Sequence, residues 1–116
     1  MAALQATTVD GDISVTGEIL AEGNVTAYSD KRLKTNIEII DDALSKVCTL
    51  SGYTYDRTDM DLRQTGVIAQ EVLKVLPEAV VGSEEETYGV NYGAMVGLLI
   101  ESIKELKAEI EELKVK

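Results

Sequence analysis

The sequence predicts an α+β chain in three parts: extended N-terminal β-strands within residues 1–28, a small mixed α/β domain over 29–94, and a C-terminal parallel coiled-coil helix over 95–116. Three patterns carry this reading. Apolar and polar residues alternate between glycines in the first part, short apolar runs separated by turn residues fill the second, and an unbroken heptad closes the third.

In the first part, Gly11-Asp12-Ile13-Ser14-Val15-Thr16-Gly17 alternates strictly, and Gly23-Asn24-Val25-Thr26-Ala27 echoes it. Both segments predict short strands with glycine turns. Strands so short, with so few large side chains, bury no core of their own, so they need a partner such as further copies of themselves. Charge marks the end of this part. Asp10, Asp12, Glu18 and Glu22 are its only charged residues, whereas Lys31, Arg32 and Lys34 follow within a few positions of Ser29.

The middle part reads as a compact domain. Asp41 or Asp42 is the expected cap of a short helix with Leu44, Val47 and Cys48 on one face. Gly52-Tyr53-Thr54-Tyr55 predicts a strand with both tyrosines on the same side, and Asp56 to Gln64 a polar loop. Gly66-Val67-Ile68-Ala69 reads as a buried strand feeding a helix from Gln70 to Leu76, which Pro77 stops. A hairpin is expected between Ala79-Val80-Val81 and Thr87 to Asn91, with Gly82 to Glu86 as its solvated acidic loop.

The last part carries the clearest period. Val96, Leu99, Ile103, Leu106, Ile110 and Leu113 occupy successive a and d positions. Glu109 at g precedes Lys114 at e by the spacing of an interchain ion pair in a parallel coil. The competing reading is an amphipathic helix whose stripe packs on its own domain. Isoleucine at a with leucine at d favours dimers in isolated coils, so a trimer has to be imposed by the rest of the chain.

Composition excludes several functions. The chain has 116 residues, of which 45% are hydrophobic, and all five aromatic residues are tyrosine; its core must be made of Val, Ile, Leu and Ala. A net charge of −10 repels a phosphate backbone or an anionic membrane, so neither nucleic acid nor membrane is an expected partner. With no histidine, Ser-His-Asp and Cys-His catalysis are closed to a single chain, and with one cysteine no thiolate–histidine zinc cluster forms. No cofactor or metal is expected. Cys48 reads as a small buried hydrophobe, consistent with a reducing compartment. The N-terminus lacks the features of a signal peptide, so a soluble protein made in a cytoplasm is expected.

One combination supports nucleophilic catalysis without histidine: Ser29 as the attacking hydroxyl and Lys34 as its base. The lysine must be neutral to accept the proton, and Lys31 and Arg32 are the nearby charges able to favour that form. An offset of five points two side chains to opposite faces of a straight strand, and roughly 140° apart on a helix. Ser102 and Lys107 repeat that offset within the terminal helix, where they cannot meet. Ser29 and Lys34 therefore pair only across a backbone bend or between neighbouring chains.

Three ordered motifs carry a resemblance. Ser29-Asp30-Lys31-Arg32-Leu33-Lys34 is followed by Gly66-Val67-Ile68-Ala69-Gln70-Glu71-Val72 with Leu76-Pro77-Glu78-Ala79-Val80, and then by Val90-Asn91-Tyr92 leading into Leu98-Leu99-Ile100-Glu101. Over residues 28–116 the chain resembles the peptidase S74 family, the intramolecular chaperone, self-processing domains of phage tail fibres, tail spikes and neck appendages. The resemblance implies an intertwined homotrimer that aligns three fibre chains and then cuts itself off with a serine and a lysine, here Ser29 and Lys34, at or beside Ser29. Asp30, Glu71 and Tyr92 match motif positions without an implied catalytic role. Implied partners are two further copies and upstream fibre or other tail proteins, met in the host cytoplasm during assembly and in the virion tail if the domain is retained. Only 28 residues precede Ser29, so the expectation is either the end of a longer fibre chain or a short protein that keeps the domain. The alternatives are a non-cleaving structural virion protein forming a permanent trimeric tip or adaptor, and an unrelated coiled-coil adaptor.

Overall fold

The computed structural model describes residues 6–116, which form two units meeting between Asn36 and Ile37. In the first unit the backbone from residue 6 to Asp30 forms no regular element, followed by a single 3-10 turn at Lys31–Leu33. The strands expected at Gly11–Gly17 and Gly23–Ala27 are therefore not formed. Their large apolar side chains face solvent, from 47% exposed at Val15 to 86% at Val25. A strand is held by main-chain hydrogen bonds to a neighbour, and a single chain supplies this segment with none.

The second unit runs from Ile37 to Lys116. Its elements are α1 (Ala43–Val47), β1 (Tyr53–Asp56), β2 (Arg63–Gly66), α2 (Ala69–Val75), β3 (Val80–Val81), β4 (Gly89–Val90) and α3 (Val96–Lys114). Short 3-10 turns at Pro77–Ala79 and Tyr92–Met95 lead into β3 and α3. β1 pairs antiparallel with β2, placing Tyr53 opposite Gly66 and Asp56 opposite Arg63; β3 pairs antiparallel with β4. Tyr53 and Tyr55 share the partly buried face of β1, as the alternation predicts.

The apolar run at Gly66–Ala69 is not the strand expected there. Pairing with β1 selects the more polar Arg63–Gly66 instead, and the apolar residues turn at once into α2, with Val67 packed against the core. Main-chain pairing has outweighed side-chain hydrophobicity in setting this register. The polar loop is correspondingly shorter, between Asp56 and Arg63. α2 ends at Val75 with Leu76 as its cap, and Pro77 opens the following turn. The hairpin between β3 and β4 turns at Gly82, whose φ of +98° suits glycine; a β-carbon there would collide with the carbonyl of Thr87.

Ala43, Val72, Leu76, Ala79, Met95 and Leu98 form the buried core, with Ile40, Val47, Leu50, Val67, Val75, Val80 and Val90 packed around it. Leu98 and Val72 are completely enclosed. Full burial of such a side chain stabilises a fold by about 1.5–3 kcal/mol. Cys48, expected inside, is exposed at the C-cap of α1 because the helix ends there and the chain turns toward β1.

α3 lies against α1 through one face. Leu98 and Ser102 are buried on it, and the Ser102 hydroxyl donates to the Leu98 carbonyl at 2.7 Å. One turn further, Glu105 caps α1 from outside: its carboxylate accepts from the amides of Ala43 at 2.9 Å and Leu44 at 3.1 Å. Neither aspartate does so. Asp42 adopts a left-handed conformation with φ of +49° and makes no side-chain cap bond, while Asp41 pairs with Lys46 at 3.3 Å. A carboxylate on unsatisfied amides at a helix start also meets the positive end of the helix dipole. No helix among the described residues is long and apolar enough to cross a membrane.

Replacing Glu105 with alanine is expected to destabilise the domain by about 1–2 kcal/mol, the scale of a lost cap, whereas Glu111→Ala on the exposed side stays within about 0.5 kcal/mol. Urea denaturation at one fixed protein concentration measures both, and equal effects would refute the capping role.

Candidate functional site

Ser29 and Lys34 meet within one chain. Fully extended, residues five apart lie roughly 17 Å from one another along the backbone, well beyond the reach of a lysine side chain. The intervening 3-10 turn closes that distance. Its main-chain bonds run from the Leu33 amide to the Asp30 carbonyl at 3.0 Å and from the Lys34 amide to the Lys31 carbonyl at 3.1 Å. Asp30 and Lys34, on either side, are both extended, so the chain bends over three residues and resumes. Lys34 Nζ then donates to Ser29 Oγ at 2.5 Å. Within the single chain the backbone bend suffices to bring the pair together.

Asp30 holds the bend. Its Oδ1 accepts the Arg32 amide at 2.8 Å, and its carboxylate grips the Arg32 guanidinium, with Nη2 to Oδ2 at 2.7 Å and Nε to Oδ1 at 3.1 Å. Bonds from the Arg32 side chain, and then from its amide, hold the Asp30 carboxyl below its usual value of 3.8, and the carboxylate in turn raises the guanidinium. Both partners are open to solvent, so the pair is worth little to global stability. Its effect is geometric. It also corrects the expectation that Arg32 acts on Lys34 as a free positive charge, since that charge is compensated by Asp30. The signal was in the sequence: an aspartate followed two residues later by an amide it can accept is a turn-capping pattern. Ser102, at the same offset from Lys107, has its hydroxyl committed to the Leu98 carbonyl.

The other motifs make a framework in the second unit. The Tyr92 hydroxyl sits over Gly66 and accepts the Val67 amide at 3.3 Å; a β-carbon at position 66 would approach that hydroxyl to 2.5 Å. The Asn91 amide donates to the Ala79 carbonyl at 2.8 Å, and Tyr53 donates to Glu71 Oε2 at 2.8 Å. Glu71 and Tyr92 thus join segments that are distant in sequence.

The terminal stripe is the second candidate site. Val96, Leu99, Ile103, Leu106, Ile110 and Leu113 are between 45% and 67% exposed. The centre of the stripe lies roughly 100° around the helix from the midpoint of the buried Leu98 and Ser102, by the helical period. The domain therefore does not use the heptad stripe for its own core.

A Gly66→Ala substitution is expected to displace Tyr92 and to cost about 1–3 kcal/mol, as overpacking does. Tyr92→Phe in the same background removes the colliding hydroxyl and recovers part of the loss; urea midpoints that show no recovery would place the strain elsewhere.

The chaperone of endosialidase family, peptidase S74, matches residues 29–81, beginning at Ser29. The long tail fiber protein Gp37 of Enterobacteria phage M1 is 42% identical over 101 residues, covering 78% of this chain and 40% of that protein. Gp37 of Enterobacteria phage K3 is 37% identical over 102 residues, 80% of this chain and 8% of its own length. Gp37 of Salmonella phage S16 is 33% identical over 109 residues, 78% of this chain and 15% of its own. The chain thus spans 40% or less of each of these relatives. With the match opening on the serine of the Ser29–Lys34 pair and relatives aligned over most of the sequence, this chain belongs to the peptidase S74, chaperone of endosialidase family.

Proposed function

We propose that the chain is a phage tail-fibre folding module that brings three copies of itself together through α3 and then cleaves itself at Ser29. The exposed heptad stripe carries this reading: a separate face of α3 anchors the helix to its domain, leaving six a and d side chains for other copies. The number three rests on the likeness to the S74 domains, and association with other tail proteins on the names of the relatives. Assembly belongs to the host cytoplasm, and a retained domain stays with the virion tail.

A clamp of this kind works through local concentration. Joining three chains at one end makes pairing of their upstream segments effectively intramolecular. The exposed, alternating segment before Ser29 gains the neighbours that it lacks in the single chain, and its unpaired edges are covered.

The Ser29–Lys34 contact supports the self-cleavage step. The unprotonated amine of Lys34 takes the Ser29 hydroxyl proton, and Oγ adds to the carbonyl carbon of Tyr28, the peptide unit next to it. The carbon–nitrogen bond breaks, Lys34 returns the proton to the leaving Ser29 nitrogen, and an ester joins Tyr28 to Oγ. Water hydrolyses the ester, leaving a carboxylate on Tyr28 and a free amine on Ser29. Each chain turns over once.

Mass spectrometry of the freshly purified protein should give fragments ending at Tyr28 and beginning at Ser29, while Ser29→Ala and Lys34→Ala remain near the intact 12.6 kDa. Intact mass in all three samples removes the cleavage step and leaves a permanent trimeric fibre component. In sedimentation, Ile103→Asp is expected to weaken association at least about thirtyfold, the scale of an interface hot spot, with unchanged far-UV circular dichroism. A parent chain that is monomeric at every concentration sinks the trimer.

A further inference from the structure

We infer that Asp30 is a positioning residue for its own chain's Ser29–Lys34 pair: by capping the Lys31–Leu33 turn, it makes the bend that brings Lys34 to Ser29. This rests on the self-cleavage reading proposed above, and it assigns each chain its own complete pair rather than one shared between neighbours.

Five residues on a straight strand or a helix keep these side chains apart, so their meeting requires a specific departure from both. The departure is a three-residue 3-10 turn, closed by only two main-chain bonds. So short a turn has poor hydrogen-bond geometry and is weak alone. The Arg32 amide sits at its start, where a helical turn offers no acceptor of its own. Asp30 supplies one at 2.8 Å, and the same carboxylate fixes the Arg32 side chain along the outside of the bend. Arg32 is thereby tied to Asp30 twice, through backbone and side chain. Among the described residues, no other side chain hydrogen-bonds to the backbone of this turn.

The chemistry agrees with a supporting role. Asp30 is acceptor-only and paired with a guanidinium, and neither group takes part in the hydrogen bond between Lys34 Nζ and Ser29 Oγ. Its contribution is to the fraction of time Lys34 spends beside Ser29. Removing the cap lowers that fraction while leaving serine and lysine in place.

The test is a time course of cleavage by mass spectrometry on the full chain. Asp30→Ala should slow cleavage by about tenfold, the population change that accompanies loss of a capping acceptor. Asp30→Asn keeps an oxygen for the Arg32 amide and should return the rate to within about threefold of the parent, a rescue that lost charge alone does not produce. Co-assembled Ser29→Ala and Lys34→Ala chains should not cleave, since no chain in the mixture holds both groups. The cap has its own readout in the uncleavable Ser29→Ala protein. Because pairing lowers the Asp30 carboxyl, the cap is complete above 3.8 and is lost only as pH falls through the lower folded-state value; the Arg32 amide resonance should titrate with a midpoint below 3.8. Parent-like cleavage in Asp30→Ala, with Ser29→Ala and Lys34→Ala still inert, overturns the positioning role and leaves self-cleavage standing. Cleavage restored in the mixed oligomer overturns the same-chain pairing. If the parent never cleaves, the reading beneath the inference falls, and an amide midpoint at or above 3.8 separately overturns the cap.

Discussion

The attachment of α3 to its domain through one face is the constraint on which the remaining architecture depends. Leu98 fills the core, Ser102 closes its own hydrogen bond, and Glu105 satisfies the first amides of α1. Those three groups occupy one side of the helix and fix its rotation. The heptad side chains are consequently held outward, and they cannot roll inward without exposing Leu98 and stranding a carboxylate and two amides. A small core with no aromatic side chain among its buried residues thus acquires a rigid external ridge. Between about a third and just over half of each ridge residue is already covered, so the remaining apolar area is what further burial has to gain.

The bend at Asp30 obeys a different logic, because it lies in the open. Nothing there is buried, and its ion pair is exposed, so its value cannot be stability. A local cap works without a core, because its donor and acceptor are two residues apart. The geometry of the Ser29–Lys34 pair is set by nearest neighbours in sequence, while the orientation of α3 is set by contacts across sixty residues, such as Glu105 with Ala43. The two arrangements are physically separable.

Much of the fold was legible wherever one periodicity dominated. The terminal helix, the tyrosine face of β1, the hairpin of β3 and β4, and the stop before Pro77 all follow from local pattern and backbone sterics. Sequence reading failed where a distant partner decided the outcome. Arg63–Gly66 became the strand because β1 pairs with it, and Glu105 displaced Asp41 and Asp42 as the cap from a helix far along the chain. Cys48 followed the end of its helix outward. At the candidate site the residues were legible from the motif and their separation from geometry, but the bend was visible only as a requirement; the aspartate that meets it had been noted without a role.

The solvent-facing segment before Tyr28 has a consequence for biosynthesis. It precedes α3 in the order of synthesis, so its exposed apolar side chains leave the ribosome before the second unit is complete. Asp10, Asp12, Glu18 and Glu22 are interspersed among those side chains, and like charges so placed disfavour the association of exposed apolar segments.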